Sequence, residues 1–384
     1  LVSYTDPNGN VTTMTYDAYG YLTQINRPLG ISVSYINDAR GNITSFTDAR
    51  GFMYTGEYDL LNRLVKTTNP SNKSRTYTYD AAGNVISTKN ENGQLTFLAY
   101  DASNRLVQLT NAKGFKSYMA YDAMDNMLNS KDPEGNTTTY VYDKLNRMIA
   151  ATDAAGNKSQ FAYDANGNLV TAITATGSTI TNTYDKLDRI TRSQDQDGII
   201  FNREYDANGN LTRRIGAIGD VTEFTYDDRN RLISLKDALG NSSNASYDNN
   251  GNMLTLIDRK NKTSTYAYDA LNRLISFTDR NGFVTTSTYD LSSNLITVKD
   301  QNNNTTSYQR DNLGRQTRVT FPDGKYIEYT YDNIGNILTN RRTDGSIMNY
   351  VYDSINRLIT KTLPGNDQHT YTYDAMRRLL TATN

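Results

Sequence analysis

The residues of this chain that could do chemistry recur at a fixed interval. A Tyr followed by Asp returns every 21 residues, at 18 positions from Tyr16 to Tyr373. Sixteen of these positions are Tyr, with Asn37 and Arg310 as the exceptions, and the Asp is present in all 18 copies. Carboxylates in this number could serve acid–base or calcium chemistry. A residue with one catalytic job does not need 18 equivalents, so capping of turns by Asp is the favoured interpretation.

Two further groups have residue types that suit metal or acid–base chemistry. The single histidine, His369, lies beside Asp367, but the chain has no Cys and no second His to complete a site. It is therefore interpreted as a solvated turn residue. The stretch from Ser193 through Asp195 to Glu204 resembles a calcium loop, but Ser replaces the first Asp and no helix flanks it. A turn is the better interpretation. Weak calcium binding by scattered Asp- and Asn-rich turns stays open, and we predict no catalytic, cofactor-binding or metal-binding residue.

The composition argues against a thick core and against polyanionic partners. Hydrophobic residues make up 37% of the 384 positions, below the roughly 45–50% that is usual for globular chains. The net charge is −1, which gives no electrostatic case for nucleic acid or an anionic membrane. No apolar run approaches the ~20 residues of a membrane span. The chain begins inside one repeat and ends inside another, so we expect it to be an internal piece of a longer protein.

Each repeat contains two turn signals that must position the Tyr and Asp. The first turn opens at the repeated Asp, as in Asp17-Ala18-Tyr19-Gly20, and the second opens midway, as in Asp6-Pro7-Asn8-Gly9. Asp at the start of a turn bonds nearby backbone N–H groups. The fourth residue of the second turn is Gly in 14 copies and Asn in the other four, and both types tolerate a positive φ. The two signals alternate at 11 and 10 residues, which leaves room for short strands and not for helices.

The strands between the turns predict an all-β fold. Segments such as Thr76–Tyr79 place Tyr at every second residue, so their rings share one face of a strand. The returning strand opens with an aliphatic residue, such as Leu22 or Leu64, in 17 of 18 copies. Two strands per repeat give roughly 36 strands of β-hairpin repeats in one antiparallel meander. We expect a single array over residues 1–384 that curls into a superhelical strip or a hollow shell, with buried Tyr and Leu layers.

A second period of 42 residues lies on top of the first. The residue that follows the end of the first turn alternates between Asn and Arg through 16 consecutive copies, from Asn42 to Arg357. We hypothesise that neighbouring turns on one edge of the sheet pack as unlike pairs, with the Arg bonded to the Asp or to carbonyl groups of the adjacent turn. The alternative is that the alternation only records an ancestral duplication.

Tyr-Asp-x-x-Gly-x-Leu at this spacing resembles the YD repeat of the RHS family. That family includes bacterial RHS and wall-associated proteins, the shell subunits of insecticidal Tc toxin complexes and the teneurin shells of animals. The resemblance covers the chain from the Asp6 turn to Leu380. It implies β-hairpins that spiral into a hollow shell, which can enclose a C-terminal toxic polypeptide. The chain departs from the family in one feature, since the Arg a few residues before the Tyr is mostly Thr or Ser. The self-cleavage role of the family's Asp-Pro-x-Gly region is not assigned to the Asp6-Pro7 or Asp132-Pro133 pair, because both are turns within the array.

The resemblance implies a non-enzymatic scaffold, part of a large bacterial protein that is secreted or held at the cell surface. Its implied partner is an enclosed or adjacent effector domain of the same polypeptide. The alternative is an adhesion module that binds carbohydrate or partner proteins through exposed aromatic rings, and a hydrolase is the least favoured interpretation. Candidates for exposed rings are the tyrosines outside the repeat register, namely Tyr19, Tyr21, Tyr54, Tyr118 and Tyr326.

Overall fold

The computed structural model describes residues 1–384 and is almost entirely β-sheet, with 37 strands in one sheet. The strands are β1 (Ser3–Thr5), β2 (Val11–Tyr16), β3 (Leu22–Arg27), β4 (Ile31–Asn37), β5 (Ile43–Thr47), β6 (Met53–Tyr58), β7 (Leu64–Thr68), β8 (Ser74–Tyr79), β9 (Val85–Lys89), β10 (Leu95–Tyr100), β11 (Leu106–Thr110), β12 (Lys116–Tyr121), β13 (Met127–Lys131), β14 (Thr137–Tyr142), β15 (Met148–Thr152), β16 (Lys158–Tyr163), β17 (Leu169–Ile173), β18 (Thr179–Tyr184), β19 (Ile190–Asp195), β20 (Gly198–Tyr205), β21 (Leu211–Gly216), β22 (Val221–Tyr226), β23 (Leu232–Lys236), β24 (Ser242–Tyr247), β25 (Met253–Ile257), β26 (Thr263–Tyr268), β27 (Leu274–Thr278), β28 (Val284–Tyr289), β29 (Leu295–Lys299), β30 (Thr305–Arg310), β31 (Gln316–Thr320), β32 (Tyr326–Tyr331), β33 (Ile337–Arg341), β34 (Ile347–Tyr352), β35 (Leu358–Thr362), β36 (Gln368–Tyr373) and β37 (Leu379–Thr383). The one helical element is a short 3₁₀ turn at Pro28–Gly30.

The turns lie where the sequence predicts them. All 18 closing residues of the first turns and all 18 of the second turns have a positive φ. Among them are Asn62 at 60°, Ser293 at 66° and Arg377 at 69°, so the backbone keeps the left-handed conformation even where the residue type does not favour it. The prediction of two turns per repeat is confirmed, and the periodic Gly and Asn residues are explained by this geometry.

Consecutive strands pair antiparallel, so the sheet follows the order of the chain. In one copy Gln160 pairs with Ile173 and Tyr163 pairs with Leu169, with a register shift just before the Tyr. The next hairpin joins β17 to β18 with Thr171 opposite Thr181. The shift is repeated before the other repeat tyrosines, for example between Ala120 and Tyr121. An irregularity of this kind bends the bulged strand and increases its twist.

The sheet is thin, and its Tyr and Leu layers are less buried than the sequence predicts. The accessible surface is 22346 Å², against about 15,000 Å² for a compact protein of this mass. No large side chain is fully buried, and the buried apolar residues are only Ile31, Ala150, Val319 and Ile355. The repeat tyrosines are half-buried, apart from the more exposed Tyr16. A single sheet without a second layer over its apolar face cannot bury that face completely.

The chain divides into two compact units. One unit contains Leu1–Ser117, Ala267–Thr278 and Phe283–Asn384, and the other contains Tyr118–Tyr266 and Asp279–Gly282. The first unit therefore combines repeats from the beginning and the end of the chain, and its contacts include pairs that are more than 240 residues apart in sequence. The second unit consists of consecutive hairpins.

Candidate functional site: the first turns and their edge

The Asp of each first turn organises the backbone around it. In the turn at Asp164, the carboxylate Oδ1 accepts hydrogen bonds from the N–H groups of Asn166 at 3.0 Å and Asn168 at 2.9 Å. The carbonyl of Asp164 accepts from the N–H of Gly167 at 3.2 Å, and its own N–H donates to the carbonyl of Asn168 at 3.0 Å. These bonds satisfy the polar groups of the turn. The capping role predicted for the repeated Asp is confirmed.

In most copies the hydroxyl of the repeat Tyr forms a hydrogen bond to the hairpin before it. The Tyr205 hydroxyl donates to the carbonyl of Ile190 at 2.9 Å, and the Tyr226 hydroxyl donates to the carbonyl of Leu211 at 3.0 Å. The acceptor is always the carbonyl of the residue 15 positions earlier, which opens the preceding returning strand and is aliphatic except at Gln316. The same bond is made by Tyr16, Tyr58, Tyr79, Tyr100, Tyr163, Tyr184, Tyr247, Tyr289, Tyr331 and Tyr373. The Tyr is therefore a cross-strand staple as well as an apolar residue.

The alternating Arg joins its own turn to the next one. The Arg189 guanidinium donates through Nε to the carboxylate of Asp185 at 2.7 Å and through Nη1 to the carbonyl of Asp206 at 3.0 Å. Its charged carbon lies 4.7 Å from the centre of the Tyr205 ring, within the range of a cation–π contact. The same three contacts recur at Arg63, Arg147, Arg231, Arg273, Arg315 and Arg357.

In the other half of the 42-residue unit, the alternating Asn joins its own turn to the next one. We call this succession of hydrogen bonds between neighbouring first turns, made by the Asn and Arg side chains, the relay. The Asn210 side-chain amide donates to the carboxylate of Asp206 at 2.9 Å and to the side-chain oxygen of Asn230 at 2.8 Å. Asn230 closes the next turn with φ of 59°. The equivalent bond to the following turn is made by Asn42, Asn84, Asn126, Asn168 and Asn336.

These contacts give the 42-residue period a physical cause. An Asn turn donates to the closing residue of the Arg turn after it, and an Arg turn donates to the Asp carbonyl of the Asn turn after it. The closing residue carries the acceptor in six Arg turns that are bonded in this way, where it is Asn or Asp. Gly314, which closes the Arg turn after Asn294, has no such acceptor. The hypothesis of unlike paired turns is confirmed for the carbonyl contact, whereas the Arg binds the carboxylate of its own turn.

The same hydrogen bonds hold the carboxylates in their charged form. The hydrogen bond from Arg189 is the main cause that lowers the pKa of Asp185, and the hydrogen bond from Asn210 is the main cause that lowers the pKa of Asp206. Burial raises the pKa of Tyr226 and Tyr331. These Asp and Tyr side chains therefore keep their usual protonation states at neutral pH, as structural acceptors and donors.

A second set of contacts, which we call the seam, joins the two edges of the sheet within the first unit. It consists of side chains from four consecutive second turns that meet first turns about 12 repeats later in the chain. The Arg50 guanidinium donates to the carbonyls of Asp311 at 3.1 Å and Asn312 at 3.3 Å, and the Ser71 hydroxyl donates to the Asn312 side-chain oxygen at 2.9 Å. The remaining two donors come from the next two second turns.

Asn92 and Lys113 extend the seam with contacts to carboxylates. The Asn92 amide donates to the Asp332 carboxylate at 2.9 Å, and the Lys113 ammonium lies 2.8 Å from the Asp353 carboxylate. The Asp353 side chain is only 6% exposed and also binds Arg357 at 2.6 Å. Burial acts to raise the pKa of Asp353, but the hydrogen bonds from Lys113 and Arg357 outweigh it and hold that pKa well below its usual range.

The structure corrects the interpretation of His369 and supports that of the calcium-like stretch. His369 is half-buried in β36 opposite Lys361, with Nε2 at 3.4 Å from Asp367 Oδ2. It is not a turn residue, because the turn ends earlier and His369 falls on the strand side shared with the Tyr rows.

At the calcium-like stretch, Asp195 pairs with Gly198 across a tight hairpin, and the Glu204 carboxylate binds Arg213 at 3.0 Å. The turn interpretation is confirmed there.

Two of the five tyrosines outside the repeat register are exposed as expected. Tyr19 is 80% exposed and Tyr118 is 40% exposed. The expectation is wrong for Tyr21, Tyr54 and Tyr326, which are half-buried. The Tyr326 ring is covered by two guanidinium groups, Arg318 at 3.4 Å and Arg341 at 4.0 Å from its centre, and the Tyr54 ring packs on Phe46 at 5.8 Å.

A cavity of about 350 Å³ lies in the first unit beside the seam. Ile31 and Phe46 form part of its wall, and Asp48 is the one carboxylate among its lining residues. That carboxylate is 3.1 Å from the Arg50 guanidinium. No group of three or more His, Cys, Asp or Glu side chains in the structure is arranged to hold a metal ion.

Sequence reasoning did not find the seam. Its four donors occupy the same place in four successive second turns, immediately before the closing residue. The run of Arg50, Ser71, Asn92 and Lys113 is the only signal in the sequence. Their partners could not be predicted, because a separation of 240 to 262 residues belongs to neither the 21-residue nor the 42-residue period.

Two family models match the chain and together cover it almost completely. The teneurin YD-shell model matches residues 131–241 and 215–383. The RHS repeat model matches residues 1–32, 38–74, 58–95, 79–116 and 100–137. The chain belongs to the RHS/YD-repeat family. The YD repeats are thus the 21-residue units described above. No curated protein sequence matches the chain significantly.

Solved structures show the same fold. The crystal structure of TcdB2-TccC3-Cdc42 matches 98% of the YD-repeat chain with a TM-score of 0.81 at 16% identity. TcdB2-TccC3 without its hypervariable C-terminal region matches 97% with a TM-score of 0.60 at 14% identity. The YD-repeat chain spans 26% of each of these longer chains. The family and the fold are those of a structural β-sheet scaffold. No helix in the structure is long and apolar enough to cross a membrane.

Proposed function

We propose that residues 1–384 are one uninterrupted array of YD repeats that forms part of the wall of a shell. In this proposal the array has no catalytic residue and binds no cofactor or metal ion. The shell belongs to a large bacterial RHS-type protein that is secreted or held at the cell surface, and it houses or presents another domain of the same polypeptide. That domain would be a C-terminal effector of the kind found in the family.

The relay of turn contacts along one edge of the sheet is the observation that carries the proposal. Most first turns are bonded to the next by a side chain from the Asn or Arg position, as at Arg189 and Asn210. Nearest-neighbour contacts of this kind make a repeat array stable without a thick core. The seam then adds contacts between distant repeats of the first unit. The Asp carboxylates of these first turns are engaged in structural bonds, as at Asp185 and Asp353.

Protection of the downstream polypeptide from proteases tests the proposal. The natural polypeptide that carries this array would be treated with a nonspecific protease before and after exposure to a pH below about 4, where the Asp turns lose stabilisation. If the array is part of a wall, the effector region resists cleavage in the intact particle and is degraded once the array opens. Cleavage of the effector region at equal rates in both states would contradict the proposal. Small-angle scattering on the same samples would show a hollow particle in the first state only.

Adhesion through carbohydrate is the second candidate. The exposed Tyr19 ring stacks on the half-buried Tyr21 ring, with ring centres 6.4 Å apart and planes inclined by 30°, and an exposed aromatic ring is a surface on which a sugar ring can pack. A glycan array probed with the purified chain and with Tyr19→Ala tests this role. Binding that is lost in the variant would support adhesion, and a wild-type chain without any bound glycan would remove it.

A further inference from the structure

The seam uses one position of the second turn, the residue immediately before the closing Gly or Asn. Arg50, Ser71, Asn92 and Lys113 occupy it in four successive copies. All four donate hydrogen bonds, and the first turns opposite present acceptors, namely carbonyl, amide and carboxylate oxygens. Most bonds of the contact therefore run from donors on the second-turn edge to acceptors on the first-turn edge; one runs the other way, from the Asn333 side-chain amide to the carbonyl of Glu91 at 3.3 Å.

The acceptors on the first-turn edge are a general property of the repeat. Every first turn opens with Asp, whose backbone carbonyl is an acceptor, and Arg50 reaches the one at Asp311. The donors are not general. The six second turns that follow the seam carry Glu134, Ala155, Thr176, Asp197, Ile218 and Leu239 at this position. The Thr176 hydroxyl is bonded within its own turn to Thr174, and Ile218 and Leu239 are 92% and 88% exposed.

An apolar residue in a first turn is less exposed where a seam donor reaches that turn. Ile355 lies in the turn that Lys113 reaches, and it is 4% exposed. Leu145 and Leu187 occupy the same place in their turns, and each is 67% exposed. The local sequence around these three residues is the same, Asp-x-[Leu/Ile]-[Asn/Asp]-Arg. The difference in exposure therefore comes from the edge that docks on the turn and not from the turn itself.

We propose that the residue before the closing position of the second turn decides which stretches of the ribbon edge dock on an Asp-turn edge. A hydrogen-bond donor at this position permits docking. An acidic residue is repelled by the Asp carboxylates, and an apolar residue offers the first-turn edge no hydrogen-bond donor. The partner of the seam donors is an edge of YD first turns, and in this chain that edge is the one from Asp311 to Asn356. The inference is independent of what the proposed wall encloses.

Thiol labelling in a chain that has no natural Cys tests the inference. Ile355→Cys reports docking, and Leu187→Cys gives the labelling rate of an undocked turn. We expect Lys113→Glu, which installs the residue type found at Glu134, to raise the labelling rate of Ile355→Cys about ten-fold or more, because it leaves the buried Asp353 facing a like charge. Lys113→Arg should keep the rate low. Lys116→Glu makes the same charge change three residues away on an exposed site and should also leave the rate unchanged.

Asn92→Ala provides a milder second variant in case Lys113→Glu does not fold. It should accelerate labelling of a thiol placed at Ile334, in the turn that Asn92 reaches, and leave Leu187→Cys unaffected. If both seam variants leave their reporter thiols labelled as slowly as in the unaltered seam, the donors do not control docking and the inference is overturned. Because the readout is local exposure, this failure would be distinct from a failure of protease protection.

Discussion

The hydroxyl of the repeat Tyr can be removed without disturbing the ring, so it gives a clean test of the staple. Tyr→Phe at Tyr205, Tyr226 and Tyr247 deletes hydrogen bonds of 2.9, 3.0 and 2.8 Å to backbone carbonyls. Each bond is worth about 1 kcal/mol of net stability. The three sites lie in successive repeats and share no acceptor, so their effects should add to about 3 kcal/mol.

The corresponding change in melting temperature follows from the size of the chain. Unfolding entropy of about 2.1 cal/mol/K per residue gives ~0.8 kcal/mol/K for the whole chain. One Tyr→Phe substitution should therefore lower the Tm by about 1 °C and the triple variant by about 4 °C, measured by calorimetry. Tyr19→Phe is the matched control, because Tyr19 is 80% exposed, and its Tm should not change. A triple variant whose Tm equals that of the Tyr19→Phe control would refute the claim that the Tyr hydroxyl bonds stabilise the sheet.

Three further predictions concern the turns themselves. Arg189→Asn should lower the Tm by more than a single Tyr→Phe, because it removes two hydrogen bonds and the contact with the Tyr205 ring. Lys186→Asn removes a charge from an exposed site in the same turn and should leave the Tm unchanged. Equal Tm values for the two variants would contradict the role of Arg189 in joining the turns. Acid should destabilise the array, because the pKa of Asp185 is lowered in the folded chain. The stabilisation by this carboxylate is complete above its unfolded pKa of about 4 and is lost as the pH falls through the lower folded value. A Tm that stays constant from about pH 6 to about pH 3 would contradict this prediction. Gly209→Ala should cost roughly 1–2 kcal/mol because of the left-handed backbone, with φ of 92°, whereas Gly209→Asn, measured by urea denaturation, should cost less because Asn tolerates that conformation, and the reverse order would be unexpected.

The local structure of each repeat could be predicted from the sequence because its determinants are local. An Asp that caps a turn and a Gly or Asn that closes it with a positive φ act within five residues, as at Asp164 and Gly167. The alternation of Asn and Arg also predicted the contact between adjacent turns, since the partner is one repeat away. The 42-residue period thus reflects the different hydrogen bonds that the Asn and Arg turns make to their neighbours.

Burial could not be predicted in the same way, because it depends on distant repeats. Ile355 and Leu187 have the same sequence environment, yet one is 4% and the other 67% exposed. The separation between docked turns depends on the twist that accumulates over about 12 repeats, and no motif in the sequence encodes that sum. His369 was misplaced for a simpler reason: the sequence around it contains turn residues, but the strand register places its ring on the side of the Tyr rows.

The return of the ribbon edge onto itself is the central claim, and a single disulfide tests it most directly. The Ser71 hydroxyl and the Asn312 side-chain oxygen are 2.9 Å apart, although 241 residues separate them in sequence. In a flat ribbon the same residues would be about 110 Å apart, since 241 residues correspond to about 23 strands at ~4.8 Å. The double variant Ser71→Cys and Asn312→Cys should form an intramolecular disulfide in the folded, dilute protein, detected by mass spectrometry. Two free thiols under the same oxidising conditions, in a chain that is otherwise folded, would contradict the account.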